Sequence, residues 1–103
     1  MASTKKLPHY ALNELKELIR DEDARYIPDS TLEEATEIDF SLTEIIDTVQ
    51  SLESSDFYKT MPAKKFQNSW QDVYKPIRKG MKLYVKLNKS FNGKCVVISF
   101  KKA

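Results

Sequence analysis

One cysteine, one histidine and two glycines are all that 103 residues hold of three residue types on which small proteins often depend. Cys95 alone forms neither an internal disulfide nor a cysteine-based zinc cluster, and His9 alone cannot supply a pair of histidines for acid and base work. Metal chemistry would have to rest on carboxylates, and the Asp and Glu pairs of the N-terminal half lie along solvated helix faces with no converging third ligand, so no metal site is expected. No apolar run approaches the ~18 residues that suggest a membrane span. The start, "MASTKKLPHY", has no apolar signal core, so no membrane association and a cytoplasmic location are expected.

Acid is scarce in one half only. Residues 59–103 hold one Asp/Glu against 12 Lys/Arg, whereas residues 1–58 hold 14 against 5, so a net charge of +2 conceals a bipolar chain. The basic half suits a polyanionic ligand, and the acidic half suits a basic partner or internal compensation. A chain of 12.0 kDa with 41% hydrophobic and 31% charged residues is expected to form one domain over 1–103, helical over 10–52 and a sheet over 57–101.

In "HYALNELKELIRDED", Ala11, Leu12, Leu15, Leu18 and Ile19 recur on one side of a helix, predicted from Tyr10 to Asp21. "IPDSTLEEATEIDF" predicts a short second helix after Pro28, capped by Asp29 or Ser30, with acid in its first turn. "SLTEIIDTVQSL" opens with Ser41 and has Glu44 three positions on, a capping box, followed by Leu42, Ile45, Ile46, Val49 and Leu52 at helical spacing.

After "ESSDFYKTMP" the periodicity changes to that of strands, predicted at Trp70–Ile77, Met81–Asn88 and Lys94–Lys101. Asn92-Gly93 is the preferred pair for a two-residue type I′ hairpin. That turn places Phe91 opposite Lys94, Leu87 opposite Ile98, Val85 opposite Phe100, Lys86 opposite Ser99 and Tyr84 opposite Lys101. The oily pairs then share one face, which supports the register, and Tyr84 and Lys101 stand roughly 5 Å apart at their side-chain roots. N-terminal helices packed on the oily face of a small antiparallel sheet give an α+β fold.

The other sheet face gathers Lys59, Gln71, Lys75, Tyr84, Lys86 and Lys101, with Lys82 on the same alternation. Each lysine alone is an ordinary solubilising residue. Together, cations and an aromatic on one face suit phosphate contact with base stacking, which is what single-stranded RNA demands. Trp70 reads first as packing and second as a base platform. His9 is a secondary candidate, and Cys95 reads as a spectator near the hairpin tip. Three classes compete: an RNA-cleaving enzyme, a non-catalytic RNA-binding module on the same face, and a protein-interaction domain using the acidic helices.

"SLESSDFYKTM", "WQDVYKP", "LYVK" and "VVISFK", in that order and preceded by a matching "PH…L…LK.LI" segment, resemble the motility quorum-sensing regulator toxins, mRNA interferases of type II toxin-antitoxin modules. The likeness covers most of the chain and is weakest at residues 22–41 and 62–69. It implies a fold like that of RelE-type ribonuclease toxins. It also implies an endoribonuclease that needs neither metal, other cofactor nor ribosome, prefers GC-containing triplets such as GCU, and is inhibited by a zinc-bearing, DNA-binding antitoxin. The residues it implicates in cleavage are Lys59, Gln71, Tyr84 and Lys101, with mRNA as substrate. Metal-free cleavage needs a proton removed from the 2′-OH, a stabilised phosphorane and a proton for the departing 5′ oxygen. Lys and Tyr are poor bases at neutral pH unless their surroundings shift them. Lys59 or Lys101 is accordingly expected as base or charge stabiliser, Tyr84 as donor, and Gln71 as an orienting or base-reading group.

Overall fold

The computed structural model describes residues 7–63 and 69–103. Its first helix, α1 (Leu12–Arg20), buries Leu15 and Ile19, as the spacing predicts. The second, α2 (Asp29–Glu37), starts directly after Pro28 without a side-chain cap, so Asp29 and Ser30 lie within its first turn instead of capping it. It closes with Asp39 at a positive φ of 63°. Asp39 N donates to Thr36 O at 3.0 Å and Phe40 N to Ala35 O at 2.9 Å, a left-handed helix ending. That ending turns Phe40 inward, where its ring meets Phe100 at 5.2 Å. The third helix, α3 (Leu42–Gln50), begins at the expected capping box, with Glu44 N to Ser41 Oγ at 3.2 Å and Ser41 N to Glu44 Oε1 at 2.9 Å.

The strands are β1 (Arg25–Tyr26), β2 (Phe57–Pro62), β3 (Trp70–Tyr74), β4 (Ile77–Arg78), β5 (Met81–Lys89) and β6 (Cys95–Lys102). They form a six-stranded sheet ordered β1-β6-β5-β3-β2, with β4 paired to β5. The expected sheet was purely antiparallel, but β1 runs parallel to β6, with Arg25 opposite Cys95. A two-residue strand inside the helical half is too short to show a period. The expected strand Trp70–Ile77 also divides. Lys75 N turns away to Asp56 O at 2.8 Å, and Pro76 has no N–H to continue the ladder.

A type I′ turn is present, but at Lys79-Gly80, where φ is 53° and 71°. The Lys79 ammonium holds this turn against the helices. It pairs with Glu44 at 2.9 Å, donates to Asp39 O at 2.6 Å, and lies 4.2 Å over the Phe40 ring. The bond from Lys79, helped by that from Ser41 N, keeps the Glu44 carboxyl below its usual range.

The β5-β6 connection is not the two-residue turn expected. Ser90 N donates to Lys94 O and Gly93 N to Ser90 O, both at 2.9 Å, so Phe91, Asn92 and Gly93 form a three-residue loop with Gly93 at φ 88°. Leu87 therefore faces Val97 and not Ile98. A bulge then intervenes between the Leu87–Val97 and Lys86–Ser99 pairs and leaves Ile98 as the extra residue. Beyond it Lys86 faces Ser99, Val85 faces Phe100 and Tyr84 faces Lys101. Two one-residue departures cancel, and the expected pair is reached by a different path.

Helices and sheet enclose one core containing Leu15, Ile19, Ala35, Ile45, Val49, Leu52, Leu83, Val85, Leu87, Val97 and Phe100. Cys95, paired with Lys89 near the hairpin tip and apart from the basic face as expected, belongs to this core; it is fully buried, and burial pushes its thiol up to about 12. The sign follows from proton binding: the folded state keeps the thiol protonated where the unfolded chain, with a thiol near 9, releases it. This contribution to stability is complete below pH 9 and is lost as pH rises toward 12, at a slope up to about 1.4 kcal/mol per pH unit. Urea denaturation from pH 8 to 11 should show the decline, and Cys95→Ala should flatten it. An identical slope in the variant would refute this assignment.

Candidate nucleic-acid interface

The face of β2, β3, β5 and β6 turned away from the helices carries the site. Alternation along β5 sends Leu83, Val85 and Leu87 into the core and Lys82, Tyr84 and Lys86 to the opposite side. Across the strands, Lys59 faces Val73, Val73 faces Lys86, and Lys86 faces Ser99. Val73 is completely buried although its cross-strand partners, Lys59 and Lys86, put it on this outer side. It forms an apolar floor between Lys59 and Lys86.

The adjoining row is aromatic and cationic. The Lys101 ammonium lies 5.5 Å and the Lys86 ammonium 5.8 Å from the Tyr84 ring centroid. The Lys75 ammonium lies 3.7 Å and that of Lys59 5.5 Å from the Tyr58 ring. Two phenols are thus each flanked by two ammonium groups. Burial raises the Tyr84 phenol above its ordinary value, and the proximity of Tyr58 raises it further. Tyr84 therefore remains protonated at neutral pH and is a proton donor there.

Tyr58 is the member that the sequence reading missed. Strict alternation puts it on the opposite side from Lys59, but a register shift between Phe57 and Lys59 breaks the alternation, leaving Tyr58 about half exposed beside the lysines. The only available signal was the repeated Tyr and Lys neighbourhood of "FYK" and "LYVK".

Of the expected residues, Lys59, Gln71, Tyr84, Lys86 and Lys101 are brought to this face by strand pairing, whereas Lys75, past the end of β3, joins it through its ammonium over the Tyr58 ring. Lys82 is exposed at its margin, opposite Ile77 of β4. Trp70 lies elsewhere. It alternates with Gln71 and so shares a side with Asp72 and Tyr74, where its ring stacks on His9 at 5.2 Å and 20°. His9 is accordingly placed with Trp70 and apart from the Tyr84 row.

Asp72 explains that placement. Its buried carboxylate accepts His9 N at 3.1 Å, Tyr10 N at 2.9 Å and the Thr60 hydroxyl, tying the segment before α1 to the end of the sheet. Tyr10 Oη in turn meets Trp70 N and Asn88 Nδ2, both at 3.2 Å.

Two open hollows lie elsewhere, along α2 at Leu32 and Thr36 and between α1 and α3 at Lys16 and Gln50. The basic face is a platform, suited to an extended strand more than to an enclosed small molecule. Among the described residues no group of three or more His, Cys, Asp or Glu is placed to hold a metal ion, and no helix is long and apolar enough to cross a membrane.

Fold and face together define a small α+β protein with a cationic, tyrosine-bearing sheet surface. The family described as "Motility quorum-sensing regulator, toxin of MqsA" matches residues 7–102. The mRNA interferase toxin MqsR of Escherichia coli (strain K12) is 30% identical over 97 residues, covering 94% of this chain and 96% of that protein. The chain belongs to the motility quorum-sensing regulator family of toxins.

Proposed function

We propose that this toxin is a metal-independent endoribonuclease that cuts mRNA without the ribosome, and that Lys59, Gln71, Tyr84 and Lys101 form its catalytic group. The observation that carries the reading is Tyr84, a phenol held protonated on an open face, with the Lys101 and Lys86 ammonium groups 5.5 Å and 5.8 Å from its ring. The printed name of the E. coli relative, an mRNA interferase toxin, points the same way. Lys75, Lys82 and Lys86 hold the RNA backbone, and Tyr58 offers a ring for a base to stack upon.

In the proposed reaction the 2′ oxygen attacks the adjacent phosphorus while its proton passes to a lysine amine or to water. A phosphorane develops beside the lysines, and the P–O5′ bond breaks as the Tyr84 hydroxyl gives its proton to the leaving oxygen. The products are a 2′,3′-cyclic phosphate and a 5′-OH. Electrostatic stabilisation and positioning supply most of the rate where no histidine is at hand. The proposal extends to a RelE-type fold, GC-containing triplets such as GCU, and a zinc-bearing, DNA-binding antitoxin as inhibitor.

A non-catalytic RNA-binding module would show the same salt dependence, since both neutralise phosphates. Product formation separates them. Purified protein in EDTA should convert an unstructured RNA containing GCU into fragments ending in cyclic phosphate. Retention of the RNA without fragments, at any salt concentration, would leave only the binding module.

A further inference from the structure

The Tyr84–Lys101 pairing depends on the bulge in β6. The three-residue loop at Phe91–Gly93 begins the hairpin with Asn88 opposite Val96 and Leu87 opposite Val97. Continued without interruption, that offset would bring Phe100 opposite Tyr84 and Lys101 opposite Leu83. Phe100 would then face outward, and Lys101 would point into the core. The extra residue, Ile98, prevents this.

β1 ends at Tyr26 opposite Val96, so beyond that point β6 is an open edge, and the bulge falls within it; each backbone group there that no ladder partner serves must find another. Here α2 serves them with two side chains. Thr31 Oγ1, fully buried, lies 2.8 Å from Val97 O and 2.9 Å from Ile98 O, sharing its one proton between the two carbonyls. Glu34 Oε1 accepts from Ser99 Oγ and from Phe100 N, both at 3.0 Å. The four groups so satisfied span residues 97–100, the stretch on which the register changes. Thr31 and Glu34 are three positions apart and so lie on one side of α2.

We infer that Thr31 and Glu34 are positioning residues of the active face: by holding the β6 bulge they set Lys101 beside Tyr84. The acidic helix therefore reaches the chemistry through backbone register without touching substrate.

The test uses the full chain with Glu34→Ala, Glu34→Gln, Thr31→Val and Thr31→Ser, and two readouts. The first is the cross-strand nuclear Overhauser contact between the Tyr84 and Lys101 backbones. The second is single-turnover RNA cleavage alongside RNA affinity, which rests on the ribonuclease reading above. Glu34→Ala and Thr31→Val should weaken the Tyr84–Lys101 contact and slow cleavage on the order of 10²-fold, the usual consequence of a misplaced catalytic group. RNA affinity should stay within twofold, about the change that loss of one exposed contact among several would bring. Glu34→Gln and Thr31→Ser, which keep the acceptor and the hydroxyl, should restore both readouts. An intact Tyr84–Lys101 contact in both disruptive variants would overturn the inference, whatever happened to cleavage. If Glu34→Ala does not fold, Thr31→Val, close to isosteric, carries the same comparison. If wild-type protein cuts no RNA, the ribonuclease reading fails while the register readout still decides this one.

Discussion

Tyr84→Phe and Lys101→Ala should each slow single-turnover RNA cleavage by roughly 10²- to 10³-fold, the range for losing one proton donor or one charge stabiliser. Tyr84→Phe deletes only a hydroxyl. The ring stays between the Lys86 and Lys101 ammonium groups, so RNA affinity should hardly change. Lys101 is exposed near the end of β6, and its loss should leave the folded state essentially intact, since surface substitutions usually shift stability by no more than about 0.5 kcal/mol. The two groups stand together, so the double variant should lose less than the product of the single losses. The raised Tyr84 phenol adds a pH signature. Wild-type cleavage should fall in strongly alkaline solution, where the phenol ionises, and Tyr84→Phe should lose the part of that fall which the phenol contributes. Undiminished cutting by both variants would sink the proposed mechanism.

The second large effect is on stability. Asp72 is the one acidic residue of the basic half and is completely buried, accepting from two backbone N–H groups and a hydroxyl. Asp72→Ala removes all three bonds and strands the buried Thr60 hydroxyl with only the Gln71 carbonyl at 3.2 Å. A loss of about 3 kcal/mol is expected, since hydrogen bonds to a charged group are each worth more than neutral ones. Asp72→Asn should be destabilising too. His9 N and Tyr10 N bond to different carboxylate oxygens, and an amide would present its NH2 to one of these donors. Because His9 stacks on Trp70, release of this segment should also alter tryptophan emission. Urea denaturation followed by fluorescence measures both effects. An Asp72→Asn variant with wild-type stability and emission would show that the carboxylate is not the latch described.

Local devices were readable directly. The Ser41–Glu44 box involves residues three apart and starts α3 where expected. The apolar spacings of α1 and α3 and the alternation of β5 predicted the buried Leu15, Ile19, Ile45, Val49, Leu52, Leu83, Val85 and Leu87, because each pattern needs only its own element's period, whereas Ala11 and Leu42, at the helix starts, are exposed. Segregation of base into the C-terminal half located the basic face in the same way, since a sheet drawn mostly from one basic stretch has a basic side wherever its strands pair.

Tertiary structure decided the rest, and in each case the deciding contact lies far along the chain. Trp70 sits on the side opposite the lysines, with His9 stacked upon it and the buried Asp72 holding the segment before α1 in place. Tyr58 joins the site because a bulge in β2 breaks the alternation that would have sent it to the other side. Alternation along β6 predicts one pairing and the hairpin loop another; the bulge at Ile98 reconciles them, bonded by Thr31 and Glu34 of a helix more than sixty residues earlier. The sequence by itself determined the helices, the strand faces and the basic composition of the site, all of which follow from short-range periodicity. Bulges and buried polar latches depend on which partner satisfies a backbone group that secondary structure has left unpaired, and only the assembled fold decides that.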